Sequence, residues 1–381
     1  MNKKILALSV GRSDYDRYYP ILKGLNDSKK VKLYLYLTIS HQDTKFGKTE
    51  NFIDKKFSVL KKKFFRKNFN EDISLNFCED LTFFIKKINE IKPDLIIVLG
   101  DRYEMLIGPI AAITKNIPVL HLFGGAVTEG ATDELVRHAI TKMSHFHLVV
   151  LKDYRKRIIQ LGEENWRIKT IGLHELNYKK NIKSFSKKYL SKKYRFDFLK
   201  PYCLLTFHPV TIELKKLKYQ LKNLIRALKN QNLNLIITYP NADPLHQQII
   251  KEFNKSFMNK KKYLLVKNFG SQNYKSVLKY CDFVIGNSSS GIVESGSFKK
   301  PAINIGTRQD GKLKPLNVIT SGYATSDIIK SIKKAKSKQF KNKIKNMRNP
   351  YESKTNLQSV LNYIINLKTN DKLLRKKFIN L

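Results

Sequence analysis

A turn of small and polar residues at positions 286–291 has the composition of a phosphate-binding site. It has the sequence Gly-Asn-Ser-Ser-Ser-Gly, follows an apolar run typical of a buried strand, and precedes a stretch with helical spacing. The first turn of a helix has unpaired N–H groups and the positive end of the helix dipole, which favour an anion. Glu294 follows one turn into this predicted helix, within reach of ribose hydroxyls. A plain serine cap would have the same sequence, so both interpretations stay open.

Asp101 and Arg102 follow a second apolar run, at 95–99, and a helix is expected after them. Their side chains would then lie at the carboxyl edge of a sheet, where open α/β sheets bind ligands. Asp101 could act as a general base, or orient one. It could equally be a helix N-cap, which is the commoner role of an Asp in this context.

A glycine-rich segment joins the run at 119–123 to an acidic helix start. Asp133 and Glu134 begin that helix, and Arg137 and His138 follow one turn later. Glu134 and His138 are four residues apart and share a helical face. A long loop leading to two carboxylates and a histidine favours catalysis over packing. His145 and His147 lie further on, at a helix–strand junction, where we expect structural roles.

Similar polar residues follow other apolar runs in both halves of the chain. They are Arg12, His208, Asn241 and Arg308. Each is weak evidence alone. Together they place polar groups after strands in both halves, which is what a cleft between two facing sheets requires.

The elements that must hold these residues alternate between short apolar runs and amphipathic stretches, which predicts parallel sheets with right-handed crossovers. Strands are predicted at 5–10, 32–38, 95–99, 119–123 and 147–151, and again at 202–207, 234–238, 263–266, 283–286 and 301–305. The fold class is therefore α/β, with two Rossmann-like doubly wound domains facing a central cleft. We place an N-terminal, sugar-side catalytic domain at 1–176, a nucleotide-binding domain at 177–365, and a helical tail at 366–381 that packs near the first domain.

Composition excludes several classes of protein. The formal charge is +42, but only 13 of the 73 basic residues are Arg and the Lys are scattered, which is unlike a specific nucleic-acid reader. No apolar run is long enough to span a bilayer, and the first apolar stretch ends too soon for a signal peptide. The three cysteines have neither metal-ligand nor disulfide spacing, which suits a reducing, cytoplasmic compartment.

The ordered set of motifs resembles the UDP-N-acetylglucosamine 2-epimerase family, over about residues 3–365. The matching segments are Gly100-Asp101-Arg102, Gly124-Gly125 before Asp133-Glu134, 137–142, His208-Pro209, 286–291 and 306–309. Within that family the chain resembles the hydrolysing branch, which serves the synthesis of sialic and legionaminic acids. The resemblance implies the GT-B type of two-domain fold.

The resemblance also implies a reaction and a set of roles. A UDP-2-acetamido sugar, either UDP-GlcNAc or UDP-N,N′-diacetylbacillosamine, would lose UDP to form a glycal, and water would then add to give the free manno sugar. The residues implied around the diphosphate and sugar are Arg12, His208, Asn241, Ser288, Ser289, Ser290, Gly291 and Arg308. Glu294 would hold the ribose, and Phe269 and Tyr274 the uracil, with Tyr274 stacking on it. Asp101, Arg102, Asp133, Glu134 and His138 are the implied catalytic residues.

Two positions depart from the family pattern. Phe123 stands where Glu or His is expected, and Ala126 where Glu is common. Since a phenyl ring cannot move a proton, the base would have to be Asp101, Glu129, Asp133 or Glu134, or the substrate differs, or activity is reduced.

Three other functions stay open: a non-hydrolysing 2-epimerase, a GT-B glycosyltransferase, and a catalytically silent binder of nucleotide sugars. The sequence does not separate UDP from GDP. It predicts no obligatory cofactor, no metal site and no membrane insertion, and it favours a homo-oligomer, either a dimer or a tetramer.

Overall fold

The fold contains two compact units, each wound around its own parallel sheet. A computed structural model describes residues 2–42, 49–61, 73–129, 132–181, 183–240, 244–258, 260–368 and 371–380. The first unit combines residues 1–126, 133–177 and 351–381, and the second combines 127–132 with 178–350. Each unit is an α/β domain of the doubly wound type, which confirms the predicted fold class.

The sheet of the first unit has the order β3-β2-β1-β4-β5-β6-β7, and its recorded pairings are all parallel. Its strands are β1 (Lys3–Ser9), β2 (Val31–Leu37), β3 (Ser58–Leu60), β4 (Leu95–Leu99), β5 (Val119–Leu122), β6 (Phe146–Val149) and β7 (Ile168–Thr170). Its helices are α1 (Arg12–Asn26), α2 (Ile73–Ile91), α3 (Ile107–Ile113), α4 (Asp133–Met143), α5 (Lys152–Gln160), α6 (His174–Asn181), α14 (Leu357–Asn366) and α15 (Asp371–Leu374). The division between the units falls within α6.

The sheet of the second unit has the order β10-β9-β8-β11-β12-β13, again with parallel pairings. Its strands are β8 (Cys203–Thr206), β9 (Leu235–Thr238), β10 (Tyr263–Val266), β11 (Phe283–Gly286), β12 (Ala302–Ile305) and β13 (Val318–Ser321). Its helices are α7 (Lys187–Tyr194), α8 (Leu217–Asn230), α9 (His246–Phe257), α10 (Ser271–Tyr280), α11 (Ser289–Val293), α12 (Thr325–Lys336) and α13 (Lys338–Ile344). The apolar side chains of these strands fill a core on each face of the sheet.

All ten predicted strands are present within one or two residues of their predicted bounds. The structure adds β3, β7 and β13, none of which has an uninterrupted run of buried residues. In each sheet the strand order reverses once, between β1 and β4 and between β8 and β11. Such switch points open a crevice at the carboxyl ends of the strands, where ligands of doubly wound folds bind.

The predicted domain boundaries need correction at the C-terminus. Residues 351–365, predicted to lie in the second domain, belong to the first unit. The physical reason is the packing of α14 on α1, where Leu361 lies so close to Gly24 that a Cβ there would contact its Cδ1 at 2.3 Å. Lys3 Nζ also donates to the Leu367 carbonyl at 2.6 Å, at the end of α14. Of the described residues after α14, only Asp371–Leu374 are helical, and 367–368 and 375–380 have no regular secondary structure, so the predicted tail is only partly helical.

Two further observations bear on the compositional predictions. No helix in the described ranges is both long enough and apolar enough to cross a membrane. All three cysteines are unbonded, and Cys203 and Cys281 are buried. Burial raises the pKa of the Cys281 thiol to about 12, which keeps it protonated and unreactive.

Gly286 ends β11 in a conformation that requires glycine. Its φ is +129°, and a Cβ at this position would lie 1.9 Å from the carbonyl oxygen of Thr206 on β8. The next residue, Asn287, donates its N–H to that same carbonyl at 3.1 Å. The chain therefore enters the serine-rich turn directly against the end of the neighbouring strand, and no side chain fits between them.

We predict that Gly286→Ala lowers the free energy of unfolding by about 1–3 kcal/mol from the backbone conformation alone, which is strained for a residue with a Cβ. The contact of that Cβ with the Thr206 carbonyl would add to this loss. Gly291→Ala is the matched control at the other end of the turn, because a Cβ there meets nothing closer than 3.6 Å. Urea denaturation of the two variants measures the difference. Equal stability of the two would show that the close approach of β8 and β11 is not a constraint.

Candidate active site

The guanidinium of Arg137 is the centre of a charged cluster in the first unit. Arg137 lies on α4 and has no exposed surface. Its Nε and Nη2 both donate to Oδ2 of Asp101, and its Nη1 donates to Glu134 at 2.5 Å and to the Ala126 carbonyl at 2.9 Å. Burial alone would lower the pKa of Arg137, but the two carboxylates outweigh it and raise that pKa. A fixed positive charge therefore joins two carboxylates that come from different elements.

Glu134 also contacts His138, so the cluster continues along α4. The two Glu134 oxygens have different partners: Oε2 accepts from Arg137, and Oε1 lies 2.9 Å from Nε2 of His138. The side chains of Glu134 and His138 are each about a quarter exposed. The predicted pairing across one helical turn is confirmed, and it leaves a carboxylate–imidazole pair open to solvent or substrate. Such a pair is suited to proton transfer.

Arg102, the residue after Asp101, contacts a different carboxylate. Its guanidinium pairs instead with the buried carboxylate of Glu104, at 3.4 Å from Nε to Oε2, and Ser40 donates to that same carboxylate at 3.0 Å. Arg102 is the N-cap residue of a 3₁₀ turn at Tyr103–Leu106, and Glu104 lies within that turn. Asp133, the first residue of α4, is half-buried.

The glycine-rich segment supplies backbone rather than side-chain groups to the cluster. Phe123 has a φ of +66°, which is uncommon for a residue with a side chain, and it is buried. Gly125 follows with a φ of +74°, and its carbonyl accepts from Arg157 at 2.5 Å. Because Arg137 binds the carbonyl of Ala126, that contact does not depend on the side chain at this position. The two apolar departures from the family pattern thus sit where the backbone is tightly held.

In the second unit, Asn287 joins the ends of β8 and β11 at the switch point. Its side-chain oxygen accepts from the N–H of His208 at 2.7 Å, and its amide nitrogen donates to the His208 carbonyl at 2.8 Å. Gln309, which follows β12 and is also buried, donates to the Asn287 carbonyl at 2.8 Å. The backbone at His208 and the start of the serine-rich turn are therefore fixed to each other.

The serine-rich turn opens a helix, as predicted, but a short one. Ser288 is the N-cap of α11 and its hydroxyl accepts from the N–H of Ser290 at 3.4 Å. Since α11 ends at Val293, Glu294 lies just beyond the helix and not one turn inside it. The hydroxyl of Ser290 is 2.7 Å from that of Tyr274 on α10, which brings the predicted base-stacking residue to the turn. Ser289 and Glu294 are both half-buried.

His208 and Arg308 lie near each other at the same sheet edge. His208 is buried, and burial, with a smaller contribution from the charge of Arg308, holds the pKa of its imidazole well below the ordinary value. The imidazole is therefore neutral at pH 7. Thr307, beside Arg308, donates from its hydroxyl to Glu213 at 2.9 Å. A cation and neutral donors at the end of β8 and β12 form an edge that favours an anionic ligand.

For three of the predicted binding residues, the described part of the chain does not test the assignment. The side chain of Arg12 and all of Asn241 lie outside the described part of the chain. Phe269 is buried in the core, where its ring meets that of Tyr194 edge-on with centroids 4.8 Å apart. Its assignment to a base remains a prediction.

Sequence reasoning missed the roles of Arg137 and Asn287. Both lay inside recognised motifs, but neither was given a function. For Arg137 the available signal was its spacing of three residues from Glu134, which puts the two on one helical face. For Asn287 the available signal was a side-chain amide between a buried strand and a polar turn. Among the described residues, no group of three or more His, Cys, Asp or Glu side chains could hold a metal ion.

The sequence is similar to proteins of one family over most of its length. Residues 23–365 match the family described as UDP-N-acetylglucosamine 2-epimerase. A hydrolysing GDP/UDP-N,N′-diacetylbacillosamine 2-epimerase of Campylobacter jejuni is 37% identical over 345 residues, which covers 89% of each chain. A hydrolysing UDP-N,N′-diacetylbacillosamine 2-epimerase of Legionella pneumophila is 32% identical over 341 residues, covering 89% of this chain and 90% of that one.

Solved structures give the same fold. The UDP-GlcNAc 2-epimerase of Neisseria meningitidis, solved with UDP-GlcNAc bound, superposes with a TM-score of 0.78 at 15% identity, covering 95% of this chain and 98% of that one. At that identity the likeness shows the fold alone, and it matches the two doubly wound units described above. The extent of the family match and the identity to two relatives decide the assignment: this chain is a member of the UDP-N-acetylglucosamine 2-epimerase family.

Proposed function

We propose that the protein is a hydrolysing 2-epimerase that converts a UDP-2-acetamido sugar to UDP and the free 2-epimeric sugar. The observation that carries the proposal is the buried Arg137 bridging Asp101 and Glu134, with His138 beside Glu134. The chain that contains this cluster is 37% identical to a hydrolysing enzyme over 89% of the present chain. UDP-N,N′-diacetylbacillosamine is the first choice of substrate, since the names of two relatives include it. UDP-GlcNAc is the second.

The reaction requires two proton transfers at one carbon. A base removes the C2 proton while the C1–O bond breaks and UDP leaves, which gives a glycal. Water then supplies hydroxide to C1, and a proton returns to C2 from the opposite face. The leaving diphosphate needs nearby positive charge and hydrogen-bond donors.

The charged cluster offers a way to perform the first transfer without Phe123. A carboxylate paired with a buried cation would normally be a poor base, because protonating the carboxylate leaves the buried positive charge without a counter-ion. Here Arg137 has two carboxylates, so Asp101 can take a proton while Glu134 still neutralises the guanidinium. We propose Asp101 as the base and the Glu134–His138 pair as the group that returns a proton to C2.

The second unit provides the proposed nucleotide site. Ser288, Ser289, Ser290 and Gly291 would donate to the diphosphate from the start of α11, with His208 and Arg308 at the neighbouring strand ends. Tyr274 would stack on the base, held by its hydroxyl contact with Ser290. Glu294 would accept from the ribose hydroxyls. This edge contains backbone N–H groups and a guanidinium, both of which suit a phosphate.

We further propose that the enzyme works in the cytoplasm as a homo-oligomer and without an obligatory cofactor or metal. The three unbonded cysteines support this compartment. Light scattering of the purified protein would give the oligomeric state, and a dimer or tetramer is expected.

The function is tested by NMR of the purified protein with UDP-N,N′-diacetylbacillosamine, UDP-GlcNAc and their GDP analogues, each with and without EDTA. We expect release of UDP and of the free 2-epimeric sugar, unaffected by EDTA. An epimer still linked to UDP would identify a non-hydrolysing enzyme. Turnover that depends on an added acceptor would identify a glycosyltransferase, and UDP binding with no turnover of any donor a silent binder.

Asp101→Asn should lower kcat at least about 10²-fold, as loss of a general base typically does. Affinity for UDP should be kept, because the proposed nucleotide residues belong to the other unit. Asp27→Asn is the control, since Asp27 is a half-exposed carboxylate paired with Lys23 on the surface of the same unit. Steady-state kinetics and calorimetry give the two quantities. Unchanged turnover of Asp101→Asn would remove Asp101 from the mechanism.

Replacing both Ser289 and Glu294 with Ala should weaken UDP binding by at least about tenfold, the loss expected when one hydrogen bond to a charged group is removed. Glu252→Ala, in the middle of α9, is the control and should leave the affinity unchanged. Calorimetric titration with UDP measures both. An unaltered affinity of the double variant would show that the diphosphate and ribose bind elsewhere.

A further inference from the structure

His121, on β5, is a buried histidine that the proposed mechanism does not use. It has no exposed surface. Its Nε2 lies 2.8 Å from the carbonyl oxygen of Gly100, and its Nδ1 lies 3.2 Å from the hydroxyl of Thr141. Gly100 directly precedes Asp101, and Thr141 is one helical turn beyond Arg137. His121 thus contacts the neighbours of both partners in the Asp101–Arg137 pair.

The contacts of His121 determine which nitrogen has the proton. Burial lowers its pKa to about 3, against a smaller opposing effect of the Gly100 carbonyl, so the ring is neutral. The charged and titratable groups that also act on it are His147, Asp101 and Arg137. A carbonyl oxygen can only accept, so Nε2 must have the hydrogen, and Nδ1 is then an acceptor for Thr141. A neutral Nε2–H imidazole is the form that satisfies both neighbours.

Both backbone polar groups of Gly100 form hydrogen bonds with residues of β5. Its N–H donates to the Leu122 carbonyl at 2.8 Å, and its carbonyl accepts from His121. Gly100 has a φ of +76°, the point at which the chain turns out of β4 towards Asp101. With both ends of this residue bonded to the same strand, the direction in which Asp101 leaves the sheet is fixed.

The glycine-rich segment leaves room for this imidazole. A Cβ at Gly124 would lie 2.7 Å from Nδ1 of His121 and 3.0 Å from the Thr141 hydroxyl. The Thr141 hydroxyl also lies 3.0 Å from the Arg137 carbonyl, so its single hydrogen is shared between that carbonyl and Nδ1 of His121, which ties the hydroxyl to the turn of α4 that bears Arg137. The space at Gly124 therefore serves the ring of His121 and its contact with α4.

We propose that His121 is a positioning residue that fixes the Gly100 peptide and so directs the Asp101 carboxylate to Arg137. This inference rests on the proposed function for its kinetic consequence only. The geometry that it explains is present whether or not the protein turns over a sugar nucleotide.

Two amide variants separate the two ring contacts. In His121→Gln the side-chain nitrogen can occupy the place of Nε2 and still donate to Gly100, whereas in His121→Asn the amide reaches only the place of Nδ1. We expect His121→Asn to lower kcat by about tenfold to a hundredfold, the cost of a misplaced catalytic group. His121→Gln should restore most of kcat. KM for the donor and affinity for UDP should change little in either, and His246→Gln in the second unit should have no effect.

A second test, by NMR of the His121 and Arg137 side chains, does not depend on turnover. In ¹⁵N-histidine-labelled wild type, His121 should show a neutral ring with the proton on Nε2 that does not titrate between about pH 5 and 8. The Arg137 Nε–H signal, which reports the bond to Asp101, should move in His121→Asn and be retained in His121→Gln. A proton on Nδ1, or equal loss of kcat in both variants in proportion to their loss of thermal stability, would overturn the proposal. Absence of turnover in wild type would refute the proposed function and leave the signals of Arg137 to decide the role of His121.

Discussion

A guanidinium with no exposed surface constrains much of the first unit. Arg137 cannot lose its proton at any ordinary pH, so its burial is tolerable only if carboxylates and carbonyls replace the water it has lost. Asp101, Glu134 and the Ala126 carbonyl do so, and they come from the end of β4, the first turn of α4 and the glycine-rich segment. One buried cation thereby fixes three separate stretches of chain relative to each other. It also holds two negative charges closer together than they would otherwise stay.

In the second unit, neutral groups hold separate stretches of chain together. At its switch point the chain must bring two strand ends together and still expose donors to a ligand. Gly286 removes the side chain that would separate β8 from β11, and the Asn287 amide bonds to both backbone groups of His208. Because the Asn287 side chain makes both hydrogen bonds to His208, the strand ends are joined without using the hydroxyls of the adjacent serines. Rigidity at this edge comes from amides and a glycine, whereas the residues proposed to bind the ligand are the neutral His208 and the charged Arg308.

Much of the fold follows from apolar runs, and the exceptions have physical reasons. Strands such as β4 and β11 are buried on both faces and gave unbroken signals, whereas β3 and β7 are mostly exposed or half-buried and gave none. The Glu134–His138 pair was predictable because four residues of helix determine it. The bond from Arg137 to Asp101 spans 36 positions and depends on where α4 lies relative to the end of β4, which no local pattern encodes.

The C-terminal correction has the same origin. The sequence at 351–366 reads as an ordinary helical stretch, and only the fit of Leu361 over Gly24 shows which unit it completes. The consequence concerns synthesis. Residues 178–350 form most of the second unit and leave the ribosome before α14, so that unit can fold while the first still lacks the helix that covers α1. Until residues 351–366 emerge, the surface of α1 around Gly24 that α14 covers is exposed in the nascent chain, and a ribosome that stalls before that point would present a chaperone with an unfinished first unit.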